Sequence, residues 1–314
     1  MSKGKTKIGM KSKFIFFLYF YIVFAVQLLF TQTSYPGLNT WYHPQSIAMA
    51  GAGFSMLSVE SDIKNPALLN ERKGSLHLAL LLYPAKIEAG IISLSMPRSK
   101  RVYSFGLRHL NYGFFDGYDE YGNQTAPYTS GDEWLTVSVG ERRKGNRIAL
   151  GGTLGGFFSQ LESYQSVLMT FTVGALLYID EFDAKLGLSL GNYGFIFKRY
   201  TRTNEQLPAR LVGSFVKNLA HLPLQLSIDI GYVLTSPSWF RFGGIFQLPY
   251  RFQLRAGMSS DKYFQKTGNS ISSDYLGSSG VGLSYAYGRY SFDISGYFFG
   301  TGGWISGIGT SIKL

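Results

Sequence analysis

Residues 224–232 read Leu224-Gln-Leu-Ser-Ile-Asp-Ile-Gly-Tyr232, and every second side chain is apolar. In a β-strand successive side chains point to opposite faces, so this pattern predicts a strand with one apolar and one polar face. The same alternation recurs over residues 250–258 and 289–298. Ile228 is therefore predicted to face apolar surroundings, and Ser227 is predicted to face the other side.

Runs of this kind predict fourteen strands. Most of them have the 9–11 residues that cross a bilayer at a tilt, whereas strands of soluble proteins average about five or six. After residue 30 no stretch approaches 18 consecutive apolar residues, which excludes a helical membrane bundle. The predicted strands lie near residues 75–83, 86–96, 102–112, 132–141, 146–157, 164–178, 182–197, 208–217, 223–233, 238–247, 249–259, 277–287, 289–299 and 303–314.

The segments between these strands fall into two sets. One rim, expected on the periplasmic side, has short turns, and the opposite rim, which we call the outer rim, has long loops at residues 113–131, 198–207 and 260–276. Bacterial outer-membrane barrels show this asymmetry. The sequence therefore predicts an all-β protein, a 14-stranded transmembrane antiparallel β-barrel in the bacterial outer membrane. A secreted soluble sandwich or propeller is the alternative.

The composition supports a surface that meets lipid. Charged residues make up 16% of the 314 residues and aromatic residues another 16%, whereas soluble domains carry about 25% charged residues. The absence of cysteine excludes disulfide scaffolds, thiolate metal sites and thiol nucleophiles.

Three parts are predicted along the chain: a signal peptide over residues 1–32, an N-terminal hatch over residues 33–72, and the barrel over residues 73–314. The first part has a positive start followed by an apolar run from Phe14 to Phe30, which is typical of a secretory signal. An uncleaved anchor is the alternative for this run. Five lysines supply its positive charge: Lys3, Lys5, Lys7, Lys11 and Lys13.

The segment before the first strand carries two short motifs. Residues 46–54 read Ser-Ile-Ala-Met-Ala-Gly-Ala-Gly-Phe, and residues 62–69 read Asp-Ile-Lys-Asn-Pro-Ala-Leu-Leu. Small residues permit close backbone packing, and Pro66 suits the first turn of a short helix capped by Asn65. Such residues could simply plug a pore. The hatch motif residues are Gly51, Gly53, Asp62, Asn65 and Pro66.

The order and spacing of these motifs resemble the FadL-like superfamily, and within it the PorV/PorQ family of the type IX secretion system. Further matching stretches are Leu-Asn-Tyr-Gly-Phe-Phe-Asp at residues 110–116, Asp-Glu-Tyr-Gly-Asn at 119–123, Gly131-Asp132, and Glu-Gln-Leu-Pro at 205–208. Ala50 departs from the family, which commonly has glycine there.

The resemblance implies a hatch inside a fourteen-stranded barrel. It also implies a role in type IX protein secretion or in attaching secreted proteins to the cell surface. The alternative is a FadL-like channel for uptake or export of hydrophobic compounds.

Alternation places several charged side chains inside the predicted barrel, where they pair with each other and the hatch or line a conduit. Because these inward positions are charged and not continuously apolar, they favour docking of partners over transport. The predicted lumen charges are Asp183, Lys185, Asp229, Arg251, Arg255 and Asp293.

The sequence predicts no enzyme, no metal and no cofactor. The four histidines, His43, His77, His109 and His221, form no metal-binding spacing. The predicted partners are outer-membrane lipid, lipopolysaccharide, and other secretion-system or cell-surface proteins, with no nucleic acid. Lys198, Arg199 and Arg202 at the outer rim either meet lipopolysaccharide phosphates or form a solvated rim.

Overall fold

The computed structural model describes residues 35–142, 145–202, 205–264, 275–300 and 302–314. Within these ranges, fourteen strands form one closed antiparallel barrel in which each strand pairs with its chain neighbours and the last pairs with the first. The predicted fold class is confirmed. The strands are β1 (Ser75–Leu82), β2 (Glu88–Arg98), β3 (Arg101–Tyr118), β4 (Gln124–Arg142), β5 (Ile148–Leu161), β6 (Tyr164–Ile179), β7 (Ala184–Lys198), β8 (Arg210–Asn218), β9 (Leu224–Val233), β10 (Ser236–Gln247), β11 (Phe252–Ser259), β12 (Ser279–Tyr287), β13 (Tyr290–Phe298) and β14 (Trp304–Lys313).

The helices of the described chain are short, and none of them is long and apolar enough to cross a membrane. The predicted signal peptide, residues 1–32, lies outside the described residues. The α-helices are α1 (Pro44–Ala48) and α2 (Ser61–Lys64), and the 3₁₀ helices are Pro36–Leu38, Pro66–Glu71, Pro84–Lys86, Asp180–Phe182, Pro249–Arg251 and Ser260–Phe264.

The alternation in β9 places its side chains as the sequence predicts. Ile228 is exposed on the outside of the barrel, whereas Ser227 and Asp229 are fully buried on the inside. Large apolar side chains are exposed in the same phase around the barrel. A closed barrel leaves no strand edge in lipid, and with an apolar exterior this is the architecture of a bacterial outer-membrane protein.

The barrel wall is taller on one side. Strands β3 to β7 have 14–19 residues, whereas the other strands have 8–12. The pairing of β3 with β2 ends at Asn111 and Glu88, so β3 continues past its neighbour at the outer rim. The pairing of β7 with β8 likewise ends at Gly191 and Arg210.

The predicted loop at residues 113–131 is wrong, because most of it is strand. Beyond Asn111, β3 and β4 pair with each other out to Tyr118 and Gln124 and form a two-stranded ribbon (residues 112–130, the β3–β4 ribbon). Two register shifts interrupt this pairing, and Gly113 has a φ of 97°. The bulges break the period-two alternation, which hid these strands from sequence analysis. Of the predicted loop at 260–276, residues 265–274 lie outside the described residues.

Residues 35–72 precede β1 and lie inside the barrel; we refer to them as the N-terminal segment. Helix α1 packs on β11 to β14, and the 3₁₀ helix Pro66–Glu71 packs on β3 to β6. Glycines in the wall allow this close approach. A β-carbon on Gly280 would collide with the Ile47 carbonyl oxygen, and one on Gly257 would collide with the Met49 carbonyl oxygen.

Candidate functional site in the barrel lumen

A buried ion pair joins the N-terminal segment to the wall at mid-height. Arg108 of β3 donates from Nη2 to both carboxylate oxygens of Asp62, at 2.6 and 2.8 Å, and both side chains are 0% exposed. Thr136 of β4 also donates to Asp62, at 3.0 Å, and the Arg108 guanidinium lies 5.4 Å from the centre of the Trp134 ring. Two charges buried together are tolerated when they are paired and hydrogen-bonded in this way.

A second link is made by Asp229 of β9. Its carboxylate accepts hydrogen bonds from the backbone N–H groups of Gly53, at 2.6 Å, and Phe54, at 3.3 Å. Gly53 has a φ of 90° and Gly51 a φ of 78°, a conformation that favours glycine. The two hatch-motif glycines thus turn the chain so that its amides point at Asp229.

Two further links involve predicted lumen charges. Arg255 lies 3.4 Å from Asp293 in the lumen, and Asp293 also accepts from the Gln45 side chain at 3.3 Å. Near the periplasmic end, Lys185 donates to both carboxylate oxygens of Glu71, at 2.6 and 2.7 Å. These charges are therefore paired with each other or with the N-terminal segment.

The structure contradicts the lumen placement of Asp183 and Arg251. Asp183 lies in the turn after the 3₁₀ helix Asp180–Phe182 with a φ of 46°, is exposed, and accepts a hydrogen bond from Asn218 at 2.8 Å. Arg251 ends the exposed 3₁₀ turn before β11 with a φ of 67°. The sequence pattern was extended one or two positions beyond the strand, into a turn. Side chains in a turn do not alternate between two faces, so the inward placement of both residues was wrong.

Asn65 caps the 3₁₀ helix that begins at Pro66. Its Oδ1 accepts from the backbone N–H of Ala67 at 3.2 Å, and its Nδ2 donates to the carbonyl oxygen of Ala175 in the wall at 3.3 Å. The cap therefore also joins the N-terminal segment to β6.

The outer part of the lumen is apolar and aromatic. Tyr35 stacks on Tyr200 with ring centres 5.5 Å apart, and Trp41 meets Tyr297 edge-on at 4.9 Å. Above this cluster a cavity of about 530 Å³ opens at the outer ends of β3 to β6, and we call it the outer pocket. Apolar and tyrosine side chains dominate its lining: Pro36, Ala85, Ile87, Tyr112, Phe115, Tyr128, Ser130, Leu161, Glu162 and Tyr164.

Sequence reasoning missed the central residue of the wall and most of the outer pocket. Arg108 stands in the inward phase of β3 with Ser104 and Gly106, a signal that could have identified it. Phe115 and Tyr128 stack on each other with ring centres 5.4 Å apart, yet both belong to the ribbon that was predicted as a loop.

Three of the histidines have different hydrogen-bonding surroundings. His43 is fully buried in the N-terminal segment, and His77 contacts Ser75 and Ser311 at 2.8 and 2.5 Å. His109 pairs with Glu133 at 2.5 Å, where both side chains are exposed. Among the described residues, no three His, Asp or Glu side chains are grouped so that they could hold a metal ion.

A separate concavity of about 770 Å³ lies on the outside of the barrel. Outward side chains of β12 to β14 and β1 to β3 line it, including Leu80, Ile92 and Phe292. In a membrane the lipid acyl chains cover this surface. It is therefore separate from the lumen.

Three solved structures share this fold. The toluene transporter TodX of Pseudomonas putida matches over 86% of this chain and 96% of its own, with a TM-score of 0.59 and 13% identity. A deltaS2 mutant of the TodX monoaromatic hydrocarbon channel matches over 86% and 97%, with a TM-score of 0.57 and 13% identity. A Pseudomonas aeruginosa FadL homologue matches over 87% and 98%, with a TM-score of 0.51 and 10% identity. No protein-family model and no curated protein matches the sequence.

Replacing Asp62 with Asn should loosen the N-terminal segment. Arg108 would then be buried without its carboxylate, and removing one partner of a buried pair costs about 3–5 kcal/mol. We expect Asp62→Asn to raise ion conductance through the barrel in planar lipid bilayers. Glu133→Gln is the control, since Glu133 pairs on the outer face. Conductance of Asp62→Asn equal to that of the unaltered protein would contradict the anchoring role.

Proposed function

We propose that this barrel is a channel for small hydrophobic compounds, which enter through the outer pocket. The observation that carries the proposal is the apolar lining of that pocket at the mouth of the lumen, directly above Pro36 of the N-terminal segment. Small-molecule sites are typically concave and mostly apolar, with volumes of about 300–1,000 Å³.

The wall beside this pocket is notched. β2 begins at Glu88, opposite Asn111, and the β3 bulge at Gly113 lies just beyond this pair. Ala85 and Ile87, from the turn between β1 and β2, line the pocket at this step in the wall. A notch at the top of the barrel gives a hydrophobic compound a route from the outer rim that does not cross the charged middle of the lumen.

The inward-facing charges were the reason for which the sequence favoured docking over transport. Their positions in the structure no longer oppose transport. Asp229, Arg255 and Asp293 are paired or hydrogen-bonded below the aromatic cluster, so they do not line the outer pocket. The shared fold with a toluene transporter and a FadL homologue also supports a channel. In this proposal the N-terminal segment is the hatch that must shift for a compound to pass.

A charge in the outer pocket should reduce uptake. Phe115→Asp would place a carboxylate in the apolar lining, where an unpaired charge is disfavoured, and we expect uptake of radiolabelled toluene by expressing cells to fall at least severalfold. Phe114→Asp is the matched control, because Phe114 is 83% exposed on the other face and does not line the pocket, whereas Phe115 is 40% exposed.

Uptake by the two variants is compared only when both are folded. The change in gel mobility on heating shows whether each barrel is folded. Equal uptake by Phe115→Asp and the unaltered protein would contradict entry through the outer pocket. An equal loss of toluene uptake in both variants would show that the ribbon affects uptake by a route other than the lining of the outer pocket.

The β3–β4 ribbon favours a second candidate function, the docking of a partner in the manner of a PorV/PorQ protein in type IX secretion. Residues 112–130 contain three carboxylates and no lysine or arginine. Phe114, Tyr118 and Tyr121 are exposed on the ribbon or its tip. Exposed aromatic residues beside uniform charge are typical of a recognition surface, here for a basic partner.

The tip of the ribbon keeps its negative charge. The side chain and the backbone N–H of Asn123 donate to Asp119, at 2.9 and 2.8 Å. These hydrogen bonds lower the pKa of the Asp119 carboxyl, because they favour its ionised form. Asp119 therefore remains ionised at neutral pH.

Removing the other two charges tests docking. Asp116→Asn with Glu120→Gln leaves the Asp119 turn intact, and a basic partner should then dissociate from native outer membranes at lower salt concentration. Asp180→Asn at the periplasmic rim is the control. A partner retained at the same salt concentration by both variants would contradict docking on the ribbon.

A further inference from the structure

A second lumen pocket, of about 350 Å³, lies at the outer ends of β8 to β10, apart from the outer pocket. Trp41 and Phe54 of the N-terminal segment and Trp239 of β10 supply its aromatic walls. Lys64, Arg210 and Arg241 supply three positive charges, and we call the cavity the cation pocket.

Two of these cations contact only neutral groups. Lys64 is 5% exposed and donates to the Ala52 carbonyl oxygen at 3.3 Å, and Arg210 donates to the Ile63 carbonyl oxygen at 2.7 Å. Within the described chain neither has a carboxylate oxygen within 4.0 Å. Among the described residues, Arg241 has one carboxylate partner, Asp261, at 3.7 Å. Cations that are removed from water without an ion-pair partner are costly, and an anionic ligand would offset that cost.

Unpaired hydrogen-bond donors in the cation pocket also favour an anionic ligand. The Nε atoms of Arg210 and Arg241 are buried without a hydrogen-bond partner in the described structure. Of the carboxylates that line the pocket, Glu60 is buried and accepts from the Tyr42 backbone N–H at 3.0 Å, and Asp261 is the partner of Arg241. Three cations against two carboxylates leave a net charge that suits a monoanion.

The aromatic walls define the rest of the ligand. The Arg241 guanidinium lies 3.9 Å from the centre of the Trp239 ring, and the Arg210 guanidinium lies 5.5 Å from that of Phe54. Phe54 and Trp239 are 5.6 Å apart. Guanidinium groups held against rings are positioned to bind a planar carboxylate, and ring faces favour a flat apolar body. The volume is near the lower end for small-molecule sites, which suits a single ring.

We propose that the cation pocket binds a small aromatic carboxylate, through its carboxylate group at Arg210 and Arg241 and its ring against Trp41, Phe54 and Trp239. This site goes beyond the proposed channel function, because binding here needs neither the outer pocket nor passage through the barrel.

The test is a titration of the purified full-length barrel in detergent with benzoate, followed by tryptophan fluorescence and by calorimetry. Two of the four tryptophans of the chain line the pocket. We expect saturable binding of benzoate and binding at least about tenfold weaker for toluene, which lacks the charge, and for acetate, which lacks the ring.

Variants distinguish benzoate binding in the cation pocket from nonspecific attraction of an anion to a positively charged protein. Arg210→Gln should weaken benzoate binding at least about tenfold, and Arg210→Lys should retain more of it, because the charge remains. Arg199→Gln is the matched control, since Arg199 is exposed outside the pocket. If Arg210→Gln does not fold, Trp239→Leu takes its place with the same expected loss, measured by calorimetry because this substitution removes a pocket tryptophan.

Equal binding of benzoate, toluene and acetate would overturn the proposal. Unchanged benzoate binding by folded Arg210→Gln, or by Trp239→Leu in its place, would also overturn it. Phe115→Asp separates this proposal from the channel. It should bind benzoate as the unaltered protein does, whether or not its uptake of toluene falls.

Discussion

Asp62 and Arg108 are buried together in the centre of the lumen, and the placement of the N-terminal segment depends on this pair. Neither charge has access to water, so each offsets the cost of burying the other. Arg108 belongs to a wall strand, and Asp62 belongs to a short helix with little stability of its own. The pair, with the Asp229 and Asp293 links on other strands, fixes the segment at several points around the barrel.

With the segment fixed in this way, the lumen divides into layers. Paired charges occupy the middle and the periplasmic end, and an aromatic cluster occupies the outer part. Two pockets open above or beside that cluster, one apolar and one cationic. The taller wall of β3 to β7 supplies most of the first, and the shorter strands β8 to β10 supply the second. Differences in strand length thus give one barrel two chemically distinct openings.

The fold could be predicted from the sequence because a strand alternates its side chains with a fixed period, whatever its neighbours are. Ile228 and Ser227 follow that rule. Asp183 and Arg251 do not, since turn residues have no fixed face. The ribbon was missed because the bulge at Gly113 changes the phase of β3. The pairing of charges in the lumen could not be predicted from the sequence either. The Asp62–Arg108 pair depends on the path of the N-terminal segment through the barrel, and the alternation of side chains along a strand does not determine that path.

The central claim is that the N-terminal segment is seated against the inner wall of the barrel, and an engineered disulfide tests it most directly. The natural chain has no cysteine. A β-carbon on Gly243 of β10 would lie 3.2 Å from Cβ of Ala52, close to the separation of about 3.5–4.5 Å in disulfides. Ala52→Cys with Gly243→Cys should therefore cross-link on mild oxidation in native membranes. Ala52→Cys with Gly213→Cys should not, because a β-carbon on Gly213 would meet no described residue within 4 Å other than its chain neighbours. Two free, fully alkylated thiols in the first variant would contradict the account.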